Sequence, residues 1–288
     1  MTALEVLAPG LLALVQDLGR PGWAHVGVGR SGAADRGALR LANRLVANPE
    51  SAAAIEVLLG GLHLRARGPV TVAVTGAEGP ATVDGRPVGR RAVLEVPDGG
   101  ELVIGTATRG LRTYVAVRGG VDVPVVLGSR SADRLAGLGP APLAEGDVLG
   151  VGPAPDELPT VDVAPGPPWP DEVVVPVLPG PHADWFADGL EVLTARTGYR
   201  ATPASDRVAV RLDGAVVGRR PDAQGRELPP VGLVAGAVQV PPDGLPVVFG
   251  ADHPVTGGYP VLAVVRSSAL GALAQLRPGD PLRFVLTR

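Results

Sequence analysis

Short apolar runs, broken by glycine, proline and aspartate, set the rhythm of the chain. Val70-Thr-Val-Ala-Val74, Glu101-Leu-Val-Ile104, Tyr114-Val-Ala-Val117, Val173-Val-Val-Pro-Val177, Val208-Ala-Val-Arg-Leu212 and Val261-Leu-Ala-Val-Val265 are each rich in β-branched residues. Runs this short between turn residues predict strands, not helices. Asp84-Gly85, Asp98-Gly99, Asp213-Gly214 and Asp243-Gly244 supply turn signals between them. One stretch has a different period. From Ala34 to Ala47, Leu39, Ala42 and Leu45-Val46 recur at helical spacing, with Arg36, Arg40 and Arg44 on another face. Ser31 or Asp35 is placed to cap this helix, and Asn48-Pro49 to stop it. Shorter helices are expected at Ala183–Asp188 and Ser268–Gln275.

The pattern also repeats. Asp84-Gly-Arg-Pro-Val-Gly-Arg-Arg91 returns as Asp213-Gly-Ala-Val-Val-Gly-Arg-Arg220. Val96-Pro-Asp-Gly-Gly100, Gly105 and Tyr114 return as Val240-Pro-Pro-Asp-Gly244, Gly250 and Tyr259. Leu143-Ala-Glu-Gly-Asp-Val-Leu149 and Leu276-Arg-Pro-Gly-Asp-Pro-Leu282 close the two halves. Ordered matches of this kind imply two related β units. The expected division is a first domain over 1–152, a proline-rich linker or crossover over 153–170, and a second domain over 171–288.

Composition narrows the function. Gly (41) and Pro (31) make up a quarter of the 288 residues, yet 45% of the chain is hydrophobic, which supports a folded core. A net charge of −3 argues against a nucleic-acid or anionic-membrane partner. Without cysteine there is no disulfide, thiolate metal site or thiol nucleophile, and a cytoplasmic location is expected. All 26 basic residues are arginine, so these residues offer no Schiff-base lysine, Walker A loop or biotinyl-lysine. No signal peptide or apolar run of membrane-spanning length is read. The histidines at 25, 63 and 182 lack metal-ligand spacing, and no metal site is expected.

Three stretches carry candidate chemistry. Val15-Gln-Asp-Leu-Gly-Arg-Pro-Gly22, followed by Gly27-Val-Gly-Arg-Ser-Gly-Ala-Ala-Asp35, is a glycine-rich approach to a helix start. Backbone N–H groups there suit a carboxylate or phosphate, with Arg20 and Arg30 adding bidentate contacts. Arg118-Gly-Gly120 and Leu127-Gly-Ser-Arg-Ser131 place Arg118, Ser129 and Arg130 after apolar runs. Ala251-Asp-His-Pro-Val-Thr-Gly-Gly-Tyr-Pro260 gathers Asp252, His253, Thr256 and Tyr259, with Asp252 able to act as a general base or to orient an amide. Ser205-Asp-Arg207 adds a further arginine.

With these residues in view, the chain resembles the family of the 5-oxoprolinase C subunit, also called allophanate hydrolase subunit 2. It is similar to the carboxyltransferase region of urea carboxylase and to an antagonist of a sporulation-kinase inhibitor. The resemblance rests on Val15–Gly22, Ser31-Gly-Ala33 with Asp35, Ala38–Val46, Asn48-Pro-Glu50, Thr75-Gly-Ala77, Tyr114–Val121, Leu127–Ser131, Ser205-Asp-Arg207, Gln239–Pro242 with Asp243-Gly244, and Thr256-Gly-Gly-Tyr-Pro260. It implies a mainly β fold of two related cyclophilin-like β-barrel domains with a few short helices. It implies a subunit of an ATP-dependent 5-oxoprolinase, opening 5-oxoproline to glutamate. The implied partners are a smaller B-type protein, forming a hetero-oligomer, and an A-type hydrolase. ATP is used by the complex, and biotin is not attached to this chain. Carried over by position, Asp252, Thr256, Tyr259 and Gln239 are catalytic candidates. Gln16, Asp17, Arg20, Ser31, Arg118, Ser129, Arg207, Gly257 and Gly258 are substrate- or phosphate-binding candidates. The family site is expected in a groove between the domains. Carboxyl transfer to urea, allophanate or a related amide, and non-catalytic antagonism of a kinase inhibitor, are the alternative readings. Departures from the family pattern, such as Gly180-Pro181-His182 in place of Gly-Pro-Gln, fall mostly in the second half.

Overall fold

The computed structural model describes residues 2–166 and 169–287. The fold is mainly β with a few short helices, as expected. The chain divides into two compact units: residues 1–20 with 31–169, and residues 21–30 with 170–288.

The first unit contains β1 (Ala3–Pro9), β2 (Leu12–Gln16), α1 (Arg36–Leu45), β3 (Ala54–Leu58), β4 (Leu62–Arg67), β5 (Val70–Glu78), β6 (Ala81–Val83), β7 (Arg86–Pro87), β8 (Val93–Val96), β9 (Glu101–Ile104), β10 (Arg109–Val117), β11 (Val121–Asp122) and β12 (Val148–Val151). Seven strands form one sheet, in the order β11-β12-β1-β4-β9-β6-β7, and five form another, in the order β2-β3-β10-β5-β8. Alternating residues of both sheets, among them Val6, Val15, Ile55, Leu64, Val72, Ile104 and Val115, form one apolar core. A second core lies on α1, whose Leu39, Ala42 and Leu45 pack with Ala73, Tyr114 and Ala116 of β5 and β10. Asp35, not Ser31, caps α1: its carboxylate accepts from Ala38 N at 3.0 Å. Past the helix, Asn48 bonds Asn43, the Val117 carbonyl and the Gly119 N–H, which locks the stop that Asn48-Pro49 signals.

The proline-rich stretch is held to the first unit as far as it is described; Pro167 and Pro168 lie outside the described residues. Val93 N donates to Asp162 O and Ala164 N to Arg91 O. Arg118 donates to the carbonyls of Pro155 and Glu157, and to Val46 O.

The second unit contains β13 (Val173–Pro179), α2 (Gly189–Leu193), β14 (Tyr199–Ala201), β15 (Ala209–Gly214), β16 (Val231–Gly232), β17 (Ala237–Gln239), β18 (Val247–Phe249), β19 (Thr256–Gly257), β20 (Val261–Val265), α3 (Leu270–Ala274) and β21 (Pro281–Leu286). Seven of these strands close a barrel, β13-β20-β17-β18-β15-β14-β21. Val175, Val177, Leu212, Val238, Leu262, Leu282 and Phe284 belong to its core. β16 and β19 form a separate two-stranded ribbon.

The repeated motifs do not fold alike. Asp84 and Gly85 both take left-handed backbone and turn the β6–β7 hairpin. Asp213 and Gly214 instead extend β15 and pair with β14. Tyr114 is fully buried in β10, whereas Tyr259 lies after β19 and is 46% exposed.

Candidate functional sites

In the first unit, β2 ends at Gln16 and the chain turns immediately. The Asp17 carboxylate supports that turn by accepting from Gly19 N at 2.7 Å. Residues 31–33 run back against it, with Ala33 N donating to Asp17 O at 2.8 Å. The contact requires glycine at 32: its φ is +91°, and a Cβ there would lie 2.6 Å from Gly19 N. A third segment arrives from far along the chain. Leu127 and Gly128 take left-handed backbone, and residues 129–133 then lie along β2, with Ala132 N bonded to Val15 O.

These three segments bring together Gln16, Asp17, Arg20, Ser31 and Ser129, all buried. The Asp17 Oδ1 also accepts from Ser129 Oγ at 2.6 Å and Ser131 Oγ at 2.5 Å, and Oδ2 accepts from Arg130 N at 2.7 Å. Each serine hydroxyl is also an acceptor, Ser131 Oγ from Asp17 N and Ser129 Oγ from Ser131 N. One carboxylate thus organises two hydroxyls and two backbone amides.

Arg20 is buried deeper than an exposed anion clamp. It is 1% exposed, donates to the carbonyls of Val126 and Ser131, and lies 3.5 Å from the Asp133 carboxylate. Gln16 donates its amide to Ala132 O at 2.8 Å. Among the described residues, two polar atoms of this cluster are buried without a hydrogen-bond partner, Gln16 Oε1 and Arg20 Nη1. Ser31 sits at φ +52°, its hydroxyl 3.4 Å from Ala132 O. Arg118 is committed elsewhere, to the carbonyls of residues 46, 155 and 157.

A network behind this cluster goes beyond the motifs of the sequence. Tyr114 OH donates to Glu56 Oε2 at 2.7 Å and accepts from Asp35 N at 2.7 Å. Glu56 also accepts from Ala34 N, and Arg112 lies 3.6 Å from its other oxygen. Burial pushes the Tyr114 phenol well above its usual range, and the charges of Glu56 and Asp35 add to that. The capping aspartate carries no sign that a buried glutamate on β3 fixes the turn before the helix. Ser131 lies inside the 127–131 motif, but Asp133 has no signal in the sequence.

In the second unit, Arg207 and Asp252 meet each other. Arg207 donates Nε to Asp252 Oδ2 at 2.7 Å and Nη2 to Oδ1 at 2.9 Å, with both side chains buried. Asp252 N also donates to Arg207 O. The expected anion clamp and the expected base thus form a bidentate ion pair. Gln239, at the end of β17, is buried and donates to Tyr259 O at 2.8 Å. Gly257 packs onto it: a Cβ at 257 would lie 2.9 Å from Gln239 Nε2. The ribbon pairs Val231 with Gly257 and Gly232 with Thr256, leaving Thr256 exposed, with Gly258 following. His253 Nδ1 lies 2.8 Å from Pro254 O, and His182 Nδ1 accepts from Val261 N. Among the described residues no three acidic or histidine side chains gather as a metal centre, and no helix is long and apolar enough to cross a membrane.

A family model for the carboxyltransferase domain, subdomains A and B, matches residues 26–286. The chain belongs to this carboxyltransferase-domain family. Within it, the chain is 35% identical to the C subunit of 5-oxoprolinase from Escherichia coli (strain K12), across 98% of this chain and 90% of that protein. The crystal structure of TTHA0988 superposes with a TM-score of 0.90 at 35% identity, covering 99% of this chain and 55% of that one. The crystal structure of the K. lactis urea amidolyase superposes with a TM-score of 0.92 at 32% identity, covering 99% of this chain and 19% of that one. This carboxyltransferase-domain chain therefore spans nearly all of its 5-oxoprolinase relative but about half, or less, of these solved chains.

Proposed function

We propose that this chain is the C-type subunit of an ATP-dependent 5-oxoprolinase, opening 5-oxoproline to glutamate with A-type and B-type partners in the cytoplasm. The observation that carries the reading is extent. The relative named as part of a 5-oxoprolinase matches over nearly its whole length, whereas the urea amidolyase contains this chain as about a fifth of a larger enzyme. Carboxyl transfer would further require a carboxylated biotin delivered by another protein, since no lysine is present among these residues.

Lactam opening is difficult because resonance makes the amide carbonyl a poor electrophile. ATP is the second substrate of the complex, and phosphorylation of the lactam oxygen activates that carbon. Water then adds there, the ring nitrogen departs as the amine, and a second water hydrolyses the resulting acyl phosphate to glutamate and inorganic phosphate. In this reading the chain contributes recognition through the Asp17 cluster. Gln16 Oε1 accepts the lactam N–H, and Arg20 Nη1 donates to the substrate's carboxylate or carbonyl oxygen. Both atoms lack a hydrogen-bond partner among the described residues. Arg20 Nη1 faces the Asp133 carboxylate at 3.5 Å, so Gln16 Oε1 is the atom left without a polar contact, which is unfavourable until a ligand arrives. Asp17 fixes both by holding Ser129, Ser131 and the Arg130 amide in place. Considered by itself, the second unit carries the Thr256-Gly257-Gly258 ribbon, whose hydroxyl and backbone amides are of the kind that suits a developing oxyanion. The Arg207–Asp252 pair holds the loop that precedes it.

The direct test is glutamate formation from 5-oxoproline and ATP by this chain mixed with the A-type and B-type proteins of its own genome. Each component is omitted in turn. Activity that requires all three supports the proposal. A well-formed complex that makes no glutamate, or makes it equally without this chain, overturns it.

A further inference from the structure

The first unit carries a cavity of about 410 Å³ that shares no residue with the Asp17 cluster. Its walls come from the end of β5, at Gly76 and Glu78, from Pro80, from the adjacent Arg90 and Arg91, and from Thr108. The size lies within the roughly 300–1,000 Å³ of small-molecule sites.

The two arginines are held differently. Arg90 donates to Gly79 O, Thr75 O and Thr113 Oγ1, all neutral acceptors. Burial, and then the charge of Arg91, lower its pKa to about 10, while the charge of Glu78 acts in the opposite direction. Arg91 has left-handed backbone, clamped by Arg91 N to Val74 O and by Ala164 N to Arg91 O. The Arg91 guanidinium packs against Gly166, and the Glu78 carboxylate acts on Arg90 through its charge; among the described residues neither makes a side-chain hydrogen bond or a close ion pair. The cavity is therefore lined by two arginines and one carboxylate, with neither Arg91 nor Glu78 tied up in a side-chain hydrogen bond among the described residues. Surface arginines normally meet a carboxylate or water; here both signs face one cavity.

We propose that this cavity binds a small amino-acid-type zwitterion, its carboxylate on Arg91 beside Arg90 and its ammonium on Glu78. A guanidinium matches a carboxylate in bidentate geometry. Glu78 selects against phosphate or a dicarboxylate, which would set a second negative charge against it. The inference is independent of the proposed reaction, because it concerns other residues and does not need turnover.

The experiment is isothermal titration of the full chain with L-glutamine, glutarate and inorganic phosphate as probes, repeated on Arg91→Ala and Glu78→Gln. Circular dichroism checks that each variant is folded; neither side chain makes a hydrogen bond among the described residues. The expected result is L-glutamine binding with Kd below about 1 mM. Arg91→Ala should weaken it at least about tenfold. Glu78→Gln should weaken L-glutamine by about tenfold while strengthening glutarate. No L-glutamine binding, phosphate binding more tightly than L-glutamine, or binding unchanged in Arg91→Ala would overturn the proposal.

Discussion

Asp17 in the first unit and Asp252 in the second are both buried carboxylates, and their partners differ in kind. Asp17 accepts from two serine hydroxyls and two backbone amides. Asp252 takes two N–H groups of a single guanidinium. The two buried tyrosines differ as well. Tyr114 has its hydroxyl bonded on both sides, whereas the Tyr199 hydroxyl is buried with no partner among the described residues. Neutral donors spread over three chain segments tie a turn together and leave Gln16 Oε1 without a hydrogen bond, while Arg20 Nη1 has only the Asp133 carboxylate at 3.5 Å. A bidentate ion pair commits both carboxylate oxygens of Asp252 to one guanidinium. This contrast is why substrate recognition is assigned to the first unit, and loop support to the Arg207–Asp252 pair.

Breaking the ion pair should have the largest effect. Asp252→Ala strands a buried guanidinium and should lower stability by about 3–5 kcal/mol. The paired replacement Arg207→Met with Asp252→Leu should recover most of that loss, because both desolvation penalties disappear. Urea unfolding of the full chain measures both, and a double variant as unstable as the single one would show that the pair is more than a self-contained bridge. Asp17→Ala should lower stability by about 2–3 kcal/mol, since several buried donors lose one acceptor. Its loss should also exceed that of Ser129→Ala, which removes one donor to Asp17 and one acceptor for Ser131 N.

The tyrosines sharpen the same contrast at smaller scale. Tyr114→Phe should lower stability by about 1–2 kcal/mol, because Asp35 N and Glu56 lose a partner. Tyr199→Phe should be neutral or slightly stabilising, since its hydroxyl is unsatisfied. Equal losses from both would contradict the contrast. Titration gives the smallest effect. Burial raises Tyr199 to about 12 and holds Tyr114 well above its ordinary value near 10. Above pH 10 the unfolded chain releases these protons while the folded chain retains them. The stability they contribute is therefore complete below about pH 10 and is lost as pH climbs through the folded values. Urea midpoints should fall between about pH 9 and about pH 11, and Tyr199→Phe should reduce the fall.

Local order is legible where it is set by local chemistry. The helix over Ala34–Ala47 forms as Arg36–Leu45, because its apolar stripe meets β5 and β10 and Asn48-Pro49 ends it. The runs at 101–104 and 261–265 are strands with those bounds. Asp84-Gly85 turns a hairpin, but the matching Asp213-Gly214 does not, because β14 pairs with it and draws it into the barrel. Tyr114 and Tyr259 share a spacing and not an environment. Within the candidate sites, motifs at 15–22, 31–35 and 127–131 converge as one cluster, since all three are rich in short polar side chains and glycine. What the sequence does not reveal is how charged groups choose partners. Arg118 goes to backbone carbonyls, Arg207 to Asp252, and Glu56 to Tyr114, each through contacts between residues far apart in the chain.

The most direct measurement of the central claim is steady-state kinetics on 5-oxoproline for the reconstituted complex carrying Gln16→Leu in this chain. The account predicts a complex that assembles and stays folded, with kcat/KM for 5-oxoproline lowered by about 10–100-fold, the effect of removing one buried substrate acceptor. Unchanged kcat/KM in an assembled Gln16→Leu complex would contradict it.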